Sequence, residues 1–209
     1  MLETRNLSHF YKSEQRFSFP DLNCNVQETL LILGPSGVGK TTLLHILAGI
    51  LHPKEGKVVV QGESIYDRPS KALDQLRGNN IGIVFQKPHF IAALTAIDNL
   101  RMAQKLAGQK VDEKKILKLL DQLNITSKKD SLTNSMSQGE LQRLSIARAL
   151  INDPKVILAD EPTSALDDYN CDEVIKLLSL QAEQHKAALI IVTHDNRLKS
   201  LFDNQIELS

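Results

Sequence analysis

Gly34-Pro35-Ser36-Gly37-Val38-Gly39-Lys40-Thr41 fits the pattern G-x-x-x-x-G-K-[ST] at every fixed position. An unalternated apolar run at 30–33 precedes it, and the helix-forming stretch Thr42-Leu43-Leu44-His45-Ile46-Leu47-Ala48 follows. A buried strand, a glycine-bearing turn and a helix start, in that order, make an anion cradle. The glycines let backbone N–H groups curl around phosphate oxygens, and the helix start adds the positive end of its dipole. Lys40 supplies a point charge for β- and γ-phosphates, and the Thr41 hydroxyl is a ligand for Mg²⁺.

Two further runs, at 156–159 and 189–192, are equally apolar and unalternated, as strands covered on both faces should be. Each ends abruptly in polar residues, as the carboxyl ends of parallel strands do where an open α/β sheet binds its ligand. Asp160 and Glu161 close the first run. Two carboxylates at a buried strand end are costly unless they serve something. Beside a phosphate loop, Asp160 would face Mg²⁺ and Glu161 would orient or deprotonate an attacking water; a helix cap is the structural alternative. His194 closes the second run, placed to bond a γ-phosphate or that water. Weaker strand candidates are the runs at 58–60 and 81–85; Gln86 follows the second, and its neutral amide can ligate Mg²⁺ or hold a water.

Between 87 and 153 the pattern turns helical. Ile116, Leu119, Leu120 and Leu123 fall on one face, with Asp112 placed to cap it. Leu141, Leu144, Arg148 and Ile151 line a later helix that Pro154 stops. Another helix follows Asp168, with Cys171, Val174, Ile175 and Leu178 inward.

The 209 residues carry 25 Lys+Arg and 25 Asp+Glu, a neutral balance that argues against a nucleic-acid-binding module. Cys24 and Cys171 lack metal-type spacing and read as free thiols. No apolar run is long enough to span a bilayer, and Met1-Leu2-Glu3-Thr4-Arg5 does not read as a secretion leader. The expected location is cytoplasmic.

Taken together, these pieces resemble the ATP-binding subunit of an ABC (ATP-binding cassette) transporter, over nearly the whole chain. The matching segments are the phosphate loop, Gln86 as the Q-loop, Asp160 with Glu161, Ser164-Ala165-Leu166-Asp167 as the D-loop, and His194. A signature segment appears as Met136-Ser137-Gln138-Gly139-Glu140. It departs from Leu-Ser-Gly-Gly-Gln at Gln138 and Glu140. Ser137 and Glu140 also read as a capping box, which coexists with anion binding at the same helix start.

The resemblance implies an α/β fold: a P-loop NTPase core of mostly parallel sheet and flanking helices, with a small antiparallel β subdomain and a helical insert. All of 1–209 would form one ATPase domain, with 1–86 and 154–209 as core and 87–153 as the helical part carrying the signature. It implies ATP and Mg²⁺ as cofactors. Glu161, His194 and Lys40 would be catalytic. Gly34, Pro35, Ser36, Gly37, Val38, Gly39, Lys40, Thr41, Thr42 and Gln86 would bind nucleotide, with Tyr11 under the adenine. Ser137, Gly139 and Asp167 would also bind nucleotide, the first two at the γ-phosphate held by the other subunit, and Thr41, Gln86 and Asp160 would hold the metal.

By the same resemblance two ATPase subunits, identical or not, pair head-to-tail, hydrolyse MgATP and drive a transmembrane permease. The expected location is then the cytoplasmic membrane face. The permease would dock beside Gln86 on a wall made by 87–94. The segments at 81–86 and 94–100 look like the branch serving lipoprotein release, macrolide export and cell division. The alternative is an ABC-type ATPase uncoupled from solute transport, acting in mechanotransmission or as a regulatory ATP clamp.

Overall fold

The computed structural model describes residues 1–11, 16–164 and 166–209. In chain order these form β1 (Leu2–Phe10), β2 (Arg16–Ser18), β3 (Asn23–Cys24), β4 (Thr29–Leu33), α1 (Lys40–Leu47), β5 (Glu55–Val60), β6 (Glu63–Ser64), α2 (Ser70–Asn80) and β7 (Ile81–Val84). Then come α3 (Ala96–Leu106), α4 (Glu113–Gln122), α5 (Gln138–Leu150), β8 (Val156–Asp160), α6 (Asp168–Gln184), β9 (Ala188–Thr193) and β10 (Gln205–Glu207).

The three apolar runs are the three central strands of one parallel sheet, ordered β10-β4-β9-β8-β7. They lack polar alternation because both faces are covered. Leu31, Leu33, Ile157, Ala159, Leu189 and Ile191 enter one core with residues of α3–α6. Leu30, Ile32, Val156, Leu158, Ile190 and Val192 enter the other, with α1 and the second sheet. Burying a large aliphatic side chain contributes about 1.5–3 kcal/mol, so this double-sided stack dominates the stability of the fold.

The second sheet is antiparallel, with β2-β1-β5-β6 in a row and β3 also on β1. The run at 58–60 belongs here, paired with Leu2, Glu3 and Thr4, and not to the parallel core.

Helix ends follow their local chemistry. The Asp112 carboxylate accepts the Lys115 N–H at 3.0 Å, and Asp167 accepts that of Asn170 at 2.9 Å. Ser137 and Glu140 form both bonds of a capping box at the start of α5. The face expected for α5 was too narrow. Leu144 and Ile151 are buried, but so are Gln142, Ser145, Ile146 and Ala149, while Leu141 and Arg148 are only half-buried. The helix lies between β7 on one side and α3 and α4 on the other, so a single apolar stripe does not describe it.

Candidate functional site

The register of the parallel sheet aligns its strand ends. Leu33 pairs with Thr193, Asp160 with Val192 and Val84 with Ala159. The loops leaving β4, β9, β8 and β7 therefore leave one edge together, at the carboxyl ends. They enclose a cavity of about 280 Å³ lined by Phe17, Ser36, Gly37, Gly39, Lys40, Thr41, Thr42, Gln86, Glu161 and His194.

The phosphate loop is shaped by its glycines. Gly37 (φ 86°) and Gly39 (φ 101°) take left-handed conformations that side chains disfavour. A Cβ on Gly39 would stand 2.7 Å from the Phe17 ring, whereas one on Gly37 would meet nothing within 4 Å. Lys40, buried at the first position of α1, donates to the carbonyls of Gly34 (2.8 Å) and Pro35 (2.9 Å). Its Nζ also lies 3.5 Å from Glu161 Oε1, in an ion pair almost closed to solvent.

Asp160 is the last residue of β8, and its carboxylate oxygens lie 3.3 and 3.4 Å from the Thr41 hydroxyl. Burial raises its pKa above the ordinary carboxylate value; the Thr41 bond opposes this and the Glu161 charge adds to it. Two hard oxygen groups meet here; Thr41 and Gln86 line the cavity, while Asp160 is not among its lining residues and reaches it through Thr41. This donor set fits Mg²⁺ that completes its shell with phosphate oxygens and waters.

Glu161 has φ 47°, so the chain turns out of β8 at this residue. Its carboxylate is gathered by three groups. The Thr193 hydroxyl donates to Oε2 at 2.8 Å, the His194 N–H donates to the same oxygen at 3.2 Å, and His194 Nδ1 lies 2.9 Å from Oε1. Burial pushes the Glu161 pKa up, but these bonds outweigh it and hold the group below its usual value. Gln86 donates to the Ser164 hydroxyl at 3.3 Å, tying the end of β7 to the turn after β8.

Other expected positions fall elsewhere. Gly34 and Pro35 border a neighbouring hollow beside His194, and Val38 packs against the core. Tyr11 does not line the cavity. Its hydroxyl lies 3.1 Å from Thr42 Oγ1, and its ring meets Phe17 edge-on at 6.2 Å. Phe17, which periodicity could not single out within a three-residue strand, is the aromatic that borders the cavity. Ser137, Gly139 and Asp167 are also absent from the lining. Ala165 of the D-loop lies outside the described residues.

Two supporting residues were not foreseen. Thr193 is fully buried under Glu161. Asp195 accepts from the Thr163 hydroxyl at 2.8 Å and from Arg197, and its carboxyl is held at about 2, mainly by the Arg197 bond.

The ABC transporter family profile matches residues 19–164, spanning the phosphate loop, Gln86, the start of α5 and both carboxylates. The chain belongs to this family. As an ABC cassette it is an ATP-binding ATPase of a transporter family. It is 36% identical over its whole length, and over 90% of the other chain, to the lipoprotein-releasing system ATP-binding protein LolD of Shewanella frigidimarina. Over 90% of its length, and 86% of the other chain, it is 38% identical to HrtA of Staphylococcus haemolyticus, a protein provisionally named for hemin import. It also superimposes on the ATP-binding cassette MJ0796, solved as a dimer in a post-hydrolysis state with ADP and Pi. That match has a TM-score of 0.89 and 31% identity, covering all of this chain and 94% of the other. Among the described residues of the cassette, no helix is long and apolar enough to cross a membrane.

Proposed function

We propose that this cassette hydrolyses MgATP as a head-to-tail dimer and that closure of the dimer drives a transmembrane permease subunit. One observation carries the reading. The cavity is lined from the phosphate loop to Glu161 and His194, yet the signature residues Ser137 and Gly139 do not reach it. A second chain can supply them, and the MJ0796 cassette, solved as a dimer with ADP and Pi, supports that arrangement.

In this mechanism Lys40 and the loop N–H groups hold the β- and γ-phosphates. Thr41, Asp160 and Gln86 would hold Mg²⁺, which would supply positive charge to neutralise the phosphate oxygens. Phosphate oxygens entering the loop compete for Lys40 with the carbonyls of Gly34 and Pro35 and with Glu161. Glu161, freed from that ion pair but still oriented by Thr193, then deprotonates or positions the attacking water. His194 donates toward the γ-phosphate. The helical part, 87–153, closes onto the partner's nucleotide and reopens after hydrolysis.

A groove of about 490 Å³ between β7, α3 and α5 suits a permease helix. Its apolar surface comes from Ile50, Ile81, Ile83, Phe85 and Leu106. The segment 87–94 contributes less of this wall than expected. His89 borders the groove, but Phe90 packs on the core under the Arg148 guanidinium, 4.6 Å from its ring centroid. The relative named for lipoprotein release supports the branch expected from the sequence; the one named for hemin import lies outside the three roles expected for it. A cytoplasmic position, on the membrane through the permease, follows from that docking.

The test is Glu161→Gln, which keeps the shape and removes the base. With MgATP its mass by light scattering should double while turnover nearly stops. A monomer at saturating MgATP, or near wild-type turnover, contradicts the mechanism.

A further inference from the structure

The start of α5 carries an acidic group where the dimer reading needs a phosphate to land. Glu140 occupies the third helical position, and its Oε2 accepts the Ser137 N–H at 2.8 Å. The N–H groups of Gln138 and Gly139 lie in the first turn, where no intrahelical carbonyl reaches them. Gly139 has no internal reason to be glycine. Its backbone is ordinary helix, and a Cβ built there meets nothing within 4 Å. Glycine weakens a helix interior, so the bare backbone at this position suits close approach from outside the chain. An arriving phosphate would meet the dipole and two free donors, and also the Glu140 carboxylate beside them.

Lys128 answers that charge. It ends the 3-10 turn Thr126–Lys128, and its Nζ lies 3.3 Å from Glu140 Oε1, the oxygen that the cap leaves free. The pair joins the connection after α4 to the start of α5. Glu140 is thus held on both oxygens, one by the helix cap and one by the lysine.

We propose that Lys128 is a positioning and charge-compensating residue for the trans phosphate site: it neutralises Glu140 and holds it on the cap, so that an acidic signature can still accept a γ-phosphate from a second copy of the chain. This rests on the dimer reading above. The need for Lys128 then exists only while residue 140 is acidic. A glutamine there keeps the cap, because its amide oxygen accepts the Ser137 N–H equally well, and removes the charge that Lys128 cancels.

The experiment is a set of MgATP titrations followed by light scattering in the Glu161→Gln background. Lys128→Met should raise the half-maximal MgATP for dimerisation about tenfold, the scale expected when a unit charge is uncovered beside each phosphate in a partly solvated interface. Adding Glu140→Gln to Lys128→Met should bring the midpoint back to within about threefold of the parent, since the charge to be cancelled is gone. An unchanged midpoint in Lys128→Met overturns the proposal. So does a raised midpoint that Glu140→Gln fails to restore, because Lys128 would then act directly on the nucleotide or the partner. A parent that stays monomeric at saturating MgATP overturns the dimer reading itself, and the proposal with it.

Discussion

Thr193→Val removes one hydroxyl from beneath the Glu161 carboxylate and changes almost nothing else in volume. The Thr193 Oγ1 is fully committed: it donates to Glu161 Oε2 at 2.8 Å and accepts the Asp195 N–H at 3.0 Å. Both bonds lie in a residue closed to solvent. A hydrogen bond to a charged group contributes about 1.5–3 kcal/mol, and a buried N–H left without an acceptor costs about 1 kcal/mol or more. The variant should therefore lose about 2–4 kcal/mol of stability, a large part of the ~5–15 kcal/mol typical of a domain.

Glu161 should also lose orientation while keeping the His194 N–H as a partner. The kcat should fall about tenfold, with KM for MgATP within about threefold, because a displaced base slows chemistry more than binding and Thr193 does not line the cavity. The donor also helps keep the Glu161 pKa low, so the variant's activity should decline at a higher pH on the acid side than that of the wild type. Thr193→Ser restores the hydroxyl and should restore kcat and its pH profile. Urea unfolding and steady-state ATPase kinetics read every one of these effects. A Thr193→Val protein with unchanged urea midpoint and unchanged kcat would refute the reasoning.

Two further outcomes follow from the surroundings of this centre. Asp195 titrates at about 2 in the fold against 3.8 ordinarily. Its contribution is therefore fully present above about pH 4 and disappears as pH falls toward 2, and it amounts to at most about 2 kcal/mol at neutral pH, reduced by solvent screening of the exposed Arg197. Asp195→Asn should lower the urea stability at pH 7 by up to that amount and reduce the further loss between pH 4 and 2; an unchanged acid limb would contradict the assignment. Leu106, more than three-quarters exposed on the groove rim, should tolerate aspartate without loss of ATPase activity by the isolated cassette. Co-purification with the permease should then fall at least tenfold, since a charge would be desolvated against an apolar helix. Full retention of the permease would place its docking site elsewhere.

What the sequence made legible is where chemistry restricts residue choice. The phosphate loop, Asp160, Glu161 and His194 were readable as neighbours because polar residues stand out where buried apolar strands end at one edge of a sheet. The central strands were readable because two-sided burial leaves unbroken apolar runs. The antiparallel sheet was not, apart from 58–60. Its strands at Arg16–Ser18, Asn23–Cys24 and Glu63–Ser64 are two or three residues long, too short to show a period. Thr193 and Lys128 were missed for another reason. Each acts through one bond to a residue 32 or 12 positions away in the chain, and no local pattern encodes such a partner. Phe17 combines both causes, a short strand and a role set by its approach to Gly39.

The strand order β10-β4-β9-β8-β7 has a consequence for synthesis. Among the described residues, the strand that carries the phosphate loop, β4, has β9 and β10 as its neighbours, and these lie far downstream of it, at Ala188–Thr193 and Gln205–Glu207. On the ribosome the loop is translated well before β9 and β10, the segments that fill the sheet positions on both sides of it. Until then 30–33 is an apolar strand with two open edges, the kind that sticks to chaperones or to other nascent chains. Nucleotide capture thereby waits for β9 and β10, and a ribosome that stalls before β9 should leave a chain that contains the whole phosphate loop and cannot use it.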